Sequence, residues 1–341
     1  MSDKYFISYT TVHGLHEITL AQGKKLTHLN VAFAPMVEGG IVSIEHARKK
    51  LVQLKRIRAI NPDLQILIST GGGANKGHGE ATKTEEGLAK LVKSTMDIVE
   101  EFDFDGIDCD WEFPGDTDIM EEKYQHTALM KAYREALDCL SKKRNNKKYW
   151  LTIAAGVGEW CIERLELDKS HHYMDFINLM TYDLRCNSFY SGHHTNLYES
   201  ENSAEVSSCD TNIRLLVEAG VPIEKIALGV AFYSREMNGL SKEGNVFNQT
   251  MQEKSDYGPD YTAIQMIFEK HMDYVKYWDE QAKAPYLFNG DNLISYDDPM
   301  SVKYKCDYVH EKNLIGAFYW VHGSDKTGTL FQAMYDGLYL R

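Results

Sequence analysis

The sequence contains few cysteines, and they are not spaced as in metal sites or disulfide-rich scaffolds. Six occur in 341 residues, and no two form a C-x-x-C pair. Such wide spacing argues against a zinc cage, and six cysteines in a chain of this length do not make a disulfide scaffold. The sequence also lacks a run of about 18 apolar residues, which a membrane-spanning helix requires. We therefore expect buried free thiols and no membrane span.

An apolar leader is lacking as well, because a strand pattern begins at Tyr5, directly after Met-Ser-Asp-Lys. A secretory leader would place an apolar stretch of roughly 7–15 residues here. As written, the chain is predicted to be cytoplasmic. A secreted chain from which the leader had been removed would look the same, so the native localisation stays open.

Positive charge is in deficit. The chain has 37 lysines and arginines against 50 aspartates and glutamates, which gives a net charge of −13. Nucleic-acid binders carry basic patches, and anionic membranes attract basic segments, so nucleic acid and membrane are excluded as partners. The hydrophobic content of 43% is typical of globular proteins. We expect a folded chain that acts as a monomer.

Eight short β-rich segments recur along the chain, each followed by a helical pattern. Several are almost continuously apolar, which is typical of a parallel sheet covered on both faces. The alternation predicts an α/β protein with a (β/α)₈ TIM barrel. A doubly wound open sheet is the alternative, but its G-x-G-x-x-G after the first strand is missing. The predicted strands are Tyr5–Tyr9, His28–Ala34, Leu64–Thr70, Phe104–Glu112, Tyr149–Gly156, Asp175–Tyr182, Lys225–Tyr233 and Leu314–Trp320.

An insertion is predicted between the seventh and eighth strands. About eighty residues separate them, which is too many for one helix and its loops. Short strands are predicted at 274–278, 285–288 and 293–296, with Asn289-Gly290 as a turn signal. We therefore predict a small α+β insertion domain at 236–299. The barrel is predicted to comprise 1–235 and 300–341.

The segment FDGIDCDWEFPG, residues 104–115, carries the strongest chemical signal. Side chains alternate along a strand, so Asp108, Asp110 and Glu112 share the inner face at intervals of about 6.6 Å. Trp111 and Phe113 are predicted to face the helix layer. Three carboxyls so close together must share or retain a proton, and a raised carboxyl pKa suits a general acid near neutral pH. Glu112 is expected at the C-terminal rim, where barrel active sites form.

Two other interpretations of this acidic segment fit less well. A solvated acidic face conflicts with the apolar residues that alternate with the carboxyls. A Mg²⁺ or Ca²⁺ site is the stronger rival, because both cations take oxygen ligands. No second acidic or histidine cluster at a strand end clearly completes such a site. We therefore expect neither a metal nor a cofactor.

The stretch from Asp105 to Glu112 resembles the D-G-x-D-x-D-x-E signature of the glycoside hydrolase family 18 chitinases. The resemblance covers almost the whole chain and includes segments similar to the family's second strand (26–33) and chitinase insertion domain (278–298). It implies a barrel enzyme that acts on N-acetylglucosamine polymers. Four further motifs match in strand order: S-x-G-G at Ser69–Gly72, M-x-Y-D at Met180–Asp183, F-Y-G-R at Phe232–Arg235 with Ser234 in place of Gly, and Trp320 on the last strand.

The resemblance implies a role for each matching residue. Glu112 would protonate the glycosidic oxygen, and the substrate's own 2-acetamido oxygen would attack the anomeric carbon. Asp110 would accept a hydrogen bond from the acetamido N–H and share a proton with Asp108. Tyr182 would donate to the acetamido oxygen, and Asp183 would hold the sugar at the −1 position. The implied substrate-binding residues are Trp320, Met180, Tyr9, Phe33 and Arg235.

Two departures from the family pattern affect the expected sugar contacts. Gly73 follows the S-x-G-G motif where family members commonly have Trp. The Leu184-Arg185-Cys186 stretch after the M-x-Y-D motif lacks the usual Gly and Trp nearby. The histidines, including His193-His194, suggest no catalytic pairing. Substrate length and subsite preference are therefore not predicted.

The leading prediction is a retaining chitinase that cleaves β-1,4 bonds in chitin or N-acetylglucosamine oligosaccharides. An endo-β-N-acetylglucosaminidase acting on N-glycans is an alternative, although such relatives usually lack the insertion. A non-catalytic chitin-binding lectin is another, but those relatives normally replace the glutamate at the position of Glu112. A metal-dependent barrel hydrolase is a more distant possibility that chelation by EDTA would test.

Overall fold

The computed structural model describes residues 3–73, 75–116, 120–201, 207–271 and 273–340. The strands in these ranges are β1 (Tyr5–Thr11), β2 (His28–Ala34), β3 (Met36–Val37), β4 (Ile41–Val42), β5 (Gln65–Gly71), β6 (Gly106–Asp110), β7 (Trp150–Ala155), β8 (Phe176–Leu179), β9 (Ile226–Ala231), β10 (Tyr233–Met237), β11 (Asp256–Asp260), β12 (Val275–Asp279), β13 (Ala284–Phe288), β14 (Leu293–Ser295) and β15 (Gly316–Trp320). In this part of the chain, eight parallel strands close into a barrel in the order β1-β15-β9-β8-β7-β6-β5-β2. The predicted (β/α)₈ TIM barrel is confirmed.

Helices cover the outside of the barrel and bury the outward faces of its strands. Trp111 shows this layer well, because its indole stacks on His78 at 5.3 Å and contacts His126 at 6.0 Å. Among the helices in the described ranges, none has both the length and the apolar character needed to cross a bilayer. The helices are α1 (Leu20–Gly23), α2 (Gln53–Ile60), α3 (His78–Thr82), α4 (Glu85–Glu101), α5 (Glu122–Lys143), α6 (Glu159–Ile162), α7 (Leu167–Ser170), α8 (Cys209–Glu218), α9 (Tyr261–Ala263), α10 (Glu269–His271), α11 (Pro299–Glu311) and α12 (Thr329–Tyr339).

Three barrel strands, β6, β8 and β9, end two or three residues earlier than the sequence predicts, and in each case the residues beyond the end bear site side chains. β6 ends at Asp110, so Glu112 lies past the strand, and β8 ends at Leu179. After β8 the backbone forms tight turns. The N–H groups of Thr181 and Tyr182 each donate a hydrogen bond to the carbonyl oxygen of the residue two positions earlier in the chain. Such tight turns release the chain from the parallel ladder and turn its side chains over the barrel mouth.

The predicted seventh strand is two strands in the structure. β9 ends at Ala231, and β10 begins at Tyr233 as part of a second sheet. This antiparallel sheet has the order β11-β10-β14-β13-β12 within the described residues. Arg235 therefore does not close a barrel strand as the sequence motif suggested, but lies on β10, opposite Ser295 of β14. The domain boundary at 236 remains a prediction, with β10 crossing it.

A buried ion pair joins this second sheet to the barrel. Lys305 of α11 and Asp297 lie 2.6 Å apart with fully buried side chains. Asp297 also accepts hydrogen bonds from the N–H of Ala231 at the end of β9 and from the hydroxyls of Thr195 and Ser301. One carboxylate thus holds a barrel strand, a loop and a helix together at the root of the insertion.

Candidate active site

Asp108 lies at the bottom of the site, inside the barrel, and is fully buried. One carboxylate oxygen accepts from Tyr9 (2.9 Å) and Ser69 (2.7 Å). The other accepts from Thr152 (2.6 Å) and Asn178 (3.3 Å). Burial raises the pKa of Asp108, while these four donors act to lower it. The carboxyl is therefore fixed in one orientation by four neighbouring strands.

Asp110 and Glu112 form a carboxyl pair directly above Asp108. The side chains of Asp110 and Glu112 are hydrogen-bonded to each other. Burial raises the pKa of Asp110, and the negative charges of Glu112 and Asp108 raise it further. Burial also raises the pKa of Glu112, against the effect of the bond from Asp110. Burial and the neighbouring carboxyl charges thus favour a proton on this pair, as the spacing of the carboxyls predicts. That Asp108 shares a proton with Asp110 remains a prediction.

The loop after β5 packs closely against the carboxyl pair, and two glycines in its backbone make this approach possible. Gly71 has φ of +99°, and a Cβ there would lie 2.3 Å from the carbonyl oxygen of Asp110. A Cβ on Gly73 would lie 3.1 Å from the carboxylate of Glu112, which accepts a bond from the Gly73 N–H. Lys76 in the same loop donates to the carbonyl of Glu112 at 3.0 Å and pairs with Asp116 at 2.6 Å. The loop therefore positions Glu112 through its backbone and one lysine.

Asp183 lies across the cleft, in a positively charged setting. It has φ of +57°, and Arg235 donates to its carboxylate at 2.7 Å. The hydroxyl of Tyr233 bonds to the same carboxylate, and the imidazole Nδ1 of the buried His194 lies 3.7 Å from it. Burial acts to raise the pKa of Asp183, but the hydrogen bond and charge of Arg235, with the nearby imidazole of His194, hold it well below its usual range. Asp183 is therefore a permanent carboxylate whose charge raises the pKa of Glu112.

Tyr182 lies between the carboxyl pair and Asp183. Burial raises the pKa of its hydroxyl, and the negative charges of Asp110, Asp183 and Glu112 add to the rise. The hydroxyl therefore stays protonated and able to donate. Met180, two residues before it, is partly exposed at the wall of the cleft.

The aromatic residues predicted to bind sugar form one cluster on the far side of the mouth. Phe33 stacks on Trp320 with a ring distance of 5.5 Å and an angle of 24°, and Tyr9 lies 5.8 Å from Trp320. Trp320 ends β15, which is diametrically opposite β6 in the order of the barrel strands. The cluster thus lies across the barrel axis from Glu112.

A cleft of about 840 Å³ opens on the Glu112 side of the mouth. Five predicted residues line it, namely Glu112, Met180, Tyr182, Asp183 and Arg235. Among the described residues, Trp320, Phe33 and Tyr9 are not part of this lining, while Asp108 and Asp110 lie buried below it. Phe113 corrects one expectation, because it lines the cleft instead of facing the helix layer. The strand has ended by Asp110, so alternation no longer sets the direction of Phe113.

Several residues of the site were not predicted from the sequence. Asn178 interrupts the apolar strand Phe-Ile-Asn-Leu, and that interruption was a usable signal. His194 contacts Asp183, although the sequence analysis predicted no partner for this histidine. No local sequence pattern indicates the contact. Tyr257 and Trp160 line the cleft from segments far apart in the chain. Only the fold brings such residues together.

The described residues contain no group of three or more His, Cys, Asp or Glu side chains that could hold a metal ion. Both oxygens of Asp108 accept from hydroxyl and amide donors, and Asp110 pairs with Glu112, while Oδ1 of Asp110 is buried without a hydrogen-bond partner among the described residues. This arrangement can supply a proton from a carboxyl group, a fixed negative charge at Asp183 and a tyrosine hydroxyl donor.

Comparison with known proteins identifies relatives along almost the whole chain. Residues 5–325 match the family described as Glycosyl hydrolases family 18. The chain is 33% identical over 301 residues to Chitinase A1 of Niallia circulans, covering 82% of this chain and 43% of that protein. It is 30% identical over 308 residues to Chitotriosidase-1 of Mus musculus, covering 86% of this chain and 66% of that protein. The chain thus spans less than two thirds of each of these relatives.

A solved structure matches almost all of this chain and the whole of its own chain. It is described as a novel glycoside hydrolase family 18 N-acetylglucosaminidase from Paenibacillus barengoltzii. The sequence identity is 40% and the TM-score is 0.95, with 98% of this chain and 100% of that chain covered. Barrel and second sheet therefore occur together in a relative of the same extent.

Proposed function

The chain belongs to glycosyl hydrolases family 18, and from that premise we propose that it hydrolyses β-1,4 bonds between N-acetylglucosamine units with retention of configuration. The substrate class is chitin or its oligosaccharides. The observation that carries the proposal is the hydrogen-bonded carboxyl pair of Asp110 and Glu112, with Glu112 and Tyr182 both lining the cleft. Proton donor, acetamido acceptor and hydroxyl donor lie together as substrate-assisted cleavage requires.

In the proposed first step, Glu112 gives its proton to the glycosidic oxygen while the acetamido oxygen of the −1 sugar attacks the anomeric carbon. Asp110 must accept a hydrogen bond from the acetamido N–H, so it cannot also donate a hydrogen bond to Glu112. Substrate binding thereby moves the shared proton onto Glu112, where the chemistry needs it. Tyr182 donates to the acetamido oxygen and orients it for attack. The product is a cyclic oxazolinium-like intermediate and a free leaving-group sugar.

In the proposed second step, Glu112 is a carboxylate and takes a proton from water as the water attacks the anomeric carbon. Asp183, held ionised by Arg235, binds the hydroxyl groups of the −1 sugar, and Trp320 with Phe33 forms its apolar floor. Asp108 does not touch the substrate in this scheme. It positions Asp110 by fixing the base of the acidic strand through its four donors.

Product analysis tests this function directly. The protein is incubated with the N-acetylglucosamine hexamer and, separately, with an N-glycan, and the products are separated by size. Cleavage of the hexamer alone supports the proposal. Cleavage of the N-glycan alone would favour the endo-β-N-acetylglucosaminidase alternative, and binding without cleavage of either would favour a lectin.

Release of single N-acetylglucosamine units is a second candidate. It is favoured by the 40% identity to the Paenibacillus barengoltzii protein, which is described as an N-acetylglucosaminidase and has the same extent as this chain. The hexamer experiment separates the two modes. Monomer as the first product indicates the N-acetylglucosaminidase mode, whereas dimer or a mixture of longer products indicates a chitinase.

A further inference from the structure

Two exposed residues of the loop after β5 act directly on Glu112. The N–H of Gly73 bonds to its carboxylate, and Lys76 donates to its carbonyl oxygen at 3.0 Å. Both residues line the cleft and are exposed to solvent, so burial does not hold them at a fixed distance from Glu112. Because an exposed loop residue is costly to order, a loop that carries such groups needs an anchor elsewhere in the fold.

Asn75 supplies this anchor through a pair of side-chain hydrogen bonds. Its Oδ1 accepts from the N–H of Met36 at 2.6 Å, and its Nδ2 donates to the carbonyl oxygen of Met36 at 3.1 Å. An asparagine amide carries both an acceptor and a donor, so it can pair with both backbone groups of one residue, as a neighbouring strand would. The N–H of Asn75 also donates to the carbonyl oxygen of Gly72 at 2.8 Å. The side chain and the backbone of Asn75 are thus both fixed.

The hairpin β3–β4, to which the loop is tied in this way, is itself packed against helices. Met36 begins β3, and its side chain is buried. The N–H of Val42 on β4 donates to the hydroxyl of Ser94 on α4 at 3.1 Å. A Cβ on Gly40, at the tip of the hairpin, would lie 3.2 Å from the Cβ of Ala81 on α3. The hairpin is therefore a firm attachment point.

The same hairpin follows closely after a residue of the aromatic cluster at the far side of the mouth. Phe33 precedes the hairpin and stacks on Trp320. A Cβ on Gly72 would lie 2.8 Å from the ring of Phe33, so the loop after β5 also touches this cluster. The loop thus contacts Glu112 on one side and Phe33 on the other. Asn75 fixes the loop between the proton donor and the apolar floor.

Asn75 itself lies outside the cleft lining, whereas Gly73 and Lys76 on either side of it belong to the lining. Its amide oxygen and amide nitrogen both already bond to Met36. Asn75 therefore has no direct route to a sugar in the cleft and acts on the substrate only through its neighbours.

We propose that Asn75 is a positioning residue, which ties the loop after β5 to the hairpin β3–β4 and thereby holds Glu112 at a fixed distance from the aromatic floor. This inference rests on the proposed function, because that function assigns the proton transfer to Glu112 and the −1 sugar to the floor. Loss of the tie leaves the sugar contacts in place but lets the loop move relative to Glu112. The chemical step should therefore slow, while substrate binding should change little.

The first test measures kcat and KM of N75A on the N-acetylglucosamine hexamer. We expect kcat to fall roughly 10-fold to 100-fold, as when a catalytic group is misplaced by about 1 Å. KM should change less than about 2-fold, because no sugar contact is removed. The Gly73 N–H and the Lys76 charge both lower the pKa of Glu112. Loosening the loop should raise that pKa, so the basic limb of the kcat/KM–pH profile should move to higher pH in N75A.

N61A is a matched control, because Asn61 makes the same kind of tie before β5, at the opposite end of the barrel. Its Nδ2 donates to the carbonyl oxygens of Gly23 and Leu26 at 3.0 Å each. N61A should leave kcat, KM and the basic limb unchanged. Equal losses of kcat in N61A and N75A would show a general loosening of the fold and overturn the proposal. A raised KM at unchanged kcat in N75A would also overturn it.

N75S takes the place of N75A if the alanine variant does not fold. Serine keeps a polar side chain but has a single oxygen, which is too short to pair with both backbone groups of Met36. The same fall in kcat and the same shift of the basic limb are expected in N75S. Unchanged values of both would overturn the proposal.

Amide hydrogen exchange decides the proposal even if the hexamer is not hydrolysed. Absence of turnover in the unmodified protein would contradict the proposed function, not the tie. The N–H of Gly72 donates to the carbonyl oxygen of Asp110 at 2.9 Å, and the N–H of Gly73 bonds to Glu112, so both amides should be protected while the loop is held. We expect their exchange to be roughly 10-fold faster or more in N75A and unchanged in the control variant. Unchanged protection of both amides in N75A would overturn the proposal.

Discussion

Two carboxyl groups buried side by side cannot both be ionised without a large electrostatic cost, and Asp110 and Glu112 resolve this by sharing a proton. The surroundings of the two carboxyl groups determine which of them binds the proton more tightly. Asp110 is fully enclosed and faces Asp108, so its pKa is raised well above the ordinary value. Glu112 is partly exposed to the cleft and receives a bond from the Gly73 N–H. The proton can therefore move outward to the substrate.

Replacing Glu112 with glutamine should abolish most turnover and preserve binding. The amide keeps the shape of the side chain but carries no acidic proton, so we expect kcat to fall roughly 10²-fold to 10⁴-fold or more. Turnover of the hexamer and calorimetric binding of the tetramer measure the two effects separately. Near-normal turnover in E112Q would contradict the assignment of the general acid. E135Q is a matched control, because Glu135 is exposed on α5 and lies outside the cleft lining.

Lys76 offers a way to move the pKa of Glu112 without touching its carboxyl. Its positive charge lowers that pKa, so K76Q should raise it. A general acid acts only while protonated, hence the basic limb of the kcat/KM–pH profile should move to higher pH in K76Q. The shift should be small, because the lysine is 62% exposed and solvent screens its charge.

The arginine variant and added salt separate charge from contact at this position. K76R keeps the charge and should keep the basic limb where it is. Added salt should move the limb of the unmodified protein upward and leave that of K76Q nearly unchanged. A downward shift in K76Q would contradict the electrostatic role.

At the level of elements, the sequence predicts where strands occur better than where they end. Apolar runs predicted all eight barrel strands, because covering both faces of a parallel sheet imposes a strong pattern. The ends of β6, β8 and β9 were placed too late, since Glu112, Tyr182 and Tyr233 continue the strand-like composition after the ladder has stopped. Strands β10 and β11 were missed altogether, because their pairing partners are distant in sequence.

The same contrast applies to the site. The acidic strand predicted Asp108, Asp110 and Glu112 on one face, since a period of two is a local property. The partners that decide their protonation, such as Asn178 and Gly73, come from other strands and could not be inferred from spacing. Asp183 shows this most clearly. The M-x-Y-D motif identified Asp183 as a site residue. Its constant negative charge, however, depends on its contacts with His194 and Arg235, and only the packing of the two sheets brings these residues together.

The junction between the two sheets gives a prediction about stability. Replacing Lys305 with methionine leaves the Asp297 carboxylate buried without its cation, so we expect the free energy of unfolding to fall by about 3–5 kcal/mol. Lys303 on the same helix pairs with Asp307 at 2.6 Å, but that pair is exposed. K303M should therefore cost about 1 kcal/mol or less. Urea unfolding of both variants makes the comparison, and equal effects would contradict the anchoring role of Lys305.

Considered as a whole, the molecule builds its cleft from two units. The barrel supplies the acidic strand, Tyr182 and Trp160, while the second sheet supplies Arg235 and Tyr257. The second sheet therefore takes part in the chemistry of the site, because Arg235 of β10 holds Asp183 in its ionised form. Deleting the second sheet would therefore remove Arg235 and Tyr257 from the cleft lining together. The influence of this sheet on product length is better tested by a point substitution such as Y257A.

The arrangement of both units around one sugar predicts the stereochemistry of the product. Asp110 and Tyr182 serve together only if the nucleophile is the acetamido oxygen, with Asp110 on its N–H and Tyr182 on its carbonyl. Held about 3 Å from the anomeric carbon, this oxygen has the advantage of an intramolecular nucleophile, which can reach several kcal/mol. Fully deacetylated oligomers lack it and should not be cleaved. A thiazoline mimic of the cyclic intermediate should inhibit tightly, because it resembles the state that the site stabilises.

Each of the two displacements inverts the anomeric carbon once, so the first product should be the β-anomer. Proton NMR of the earliest product, recorded before mutarotation, measures this directly. A first product in the α form would mean that water attacks the bond directly. In that case Glu112 and another carboxyl would act as the acid and base of an inverting pair, which needs a separation of about 6.5–9.5 Å with a water between them. Asp110 is hydrogen-bonded to Glu112, so it cannot hold a water in that way, and the geometry therefore predicts retention.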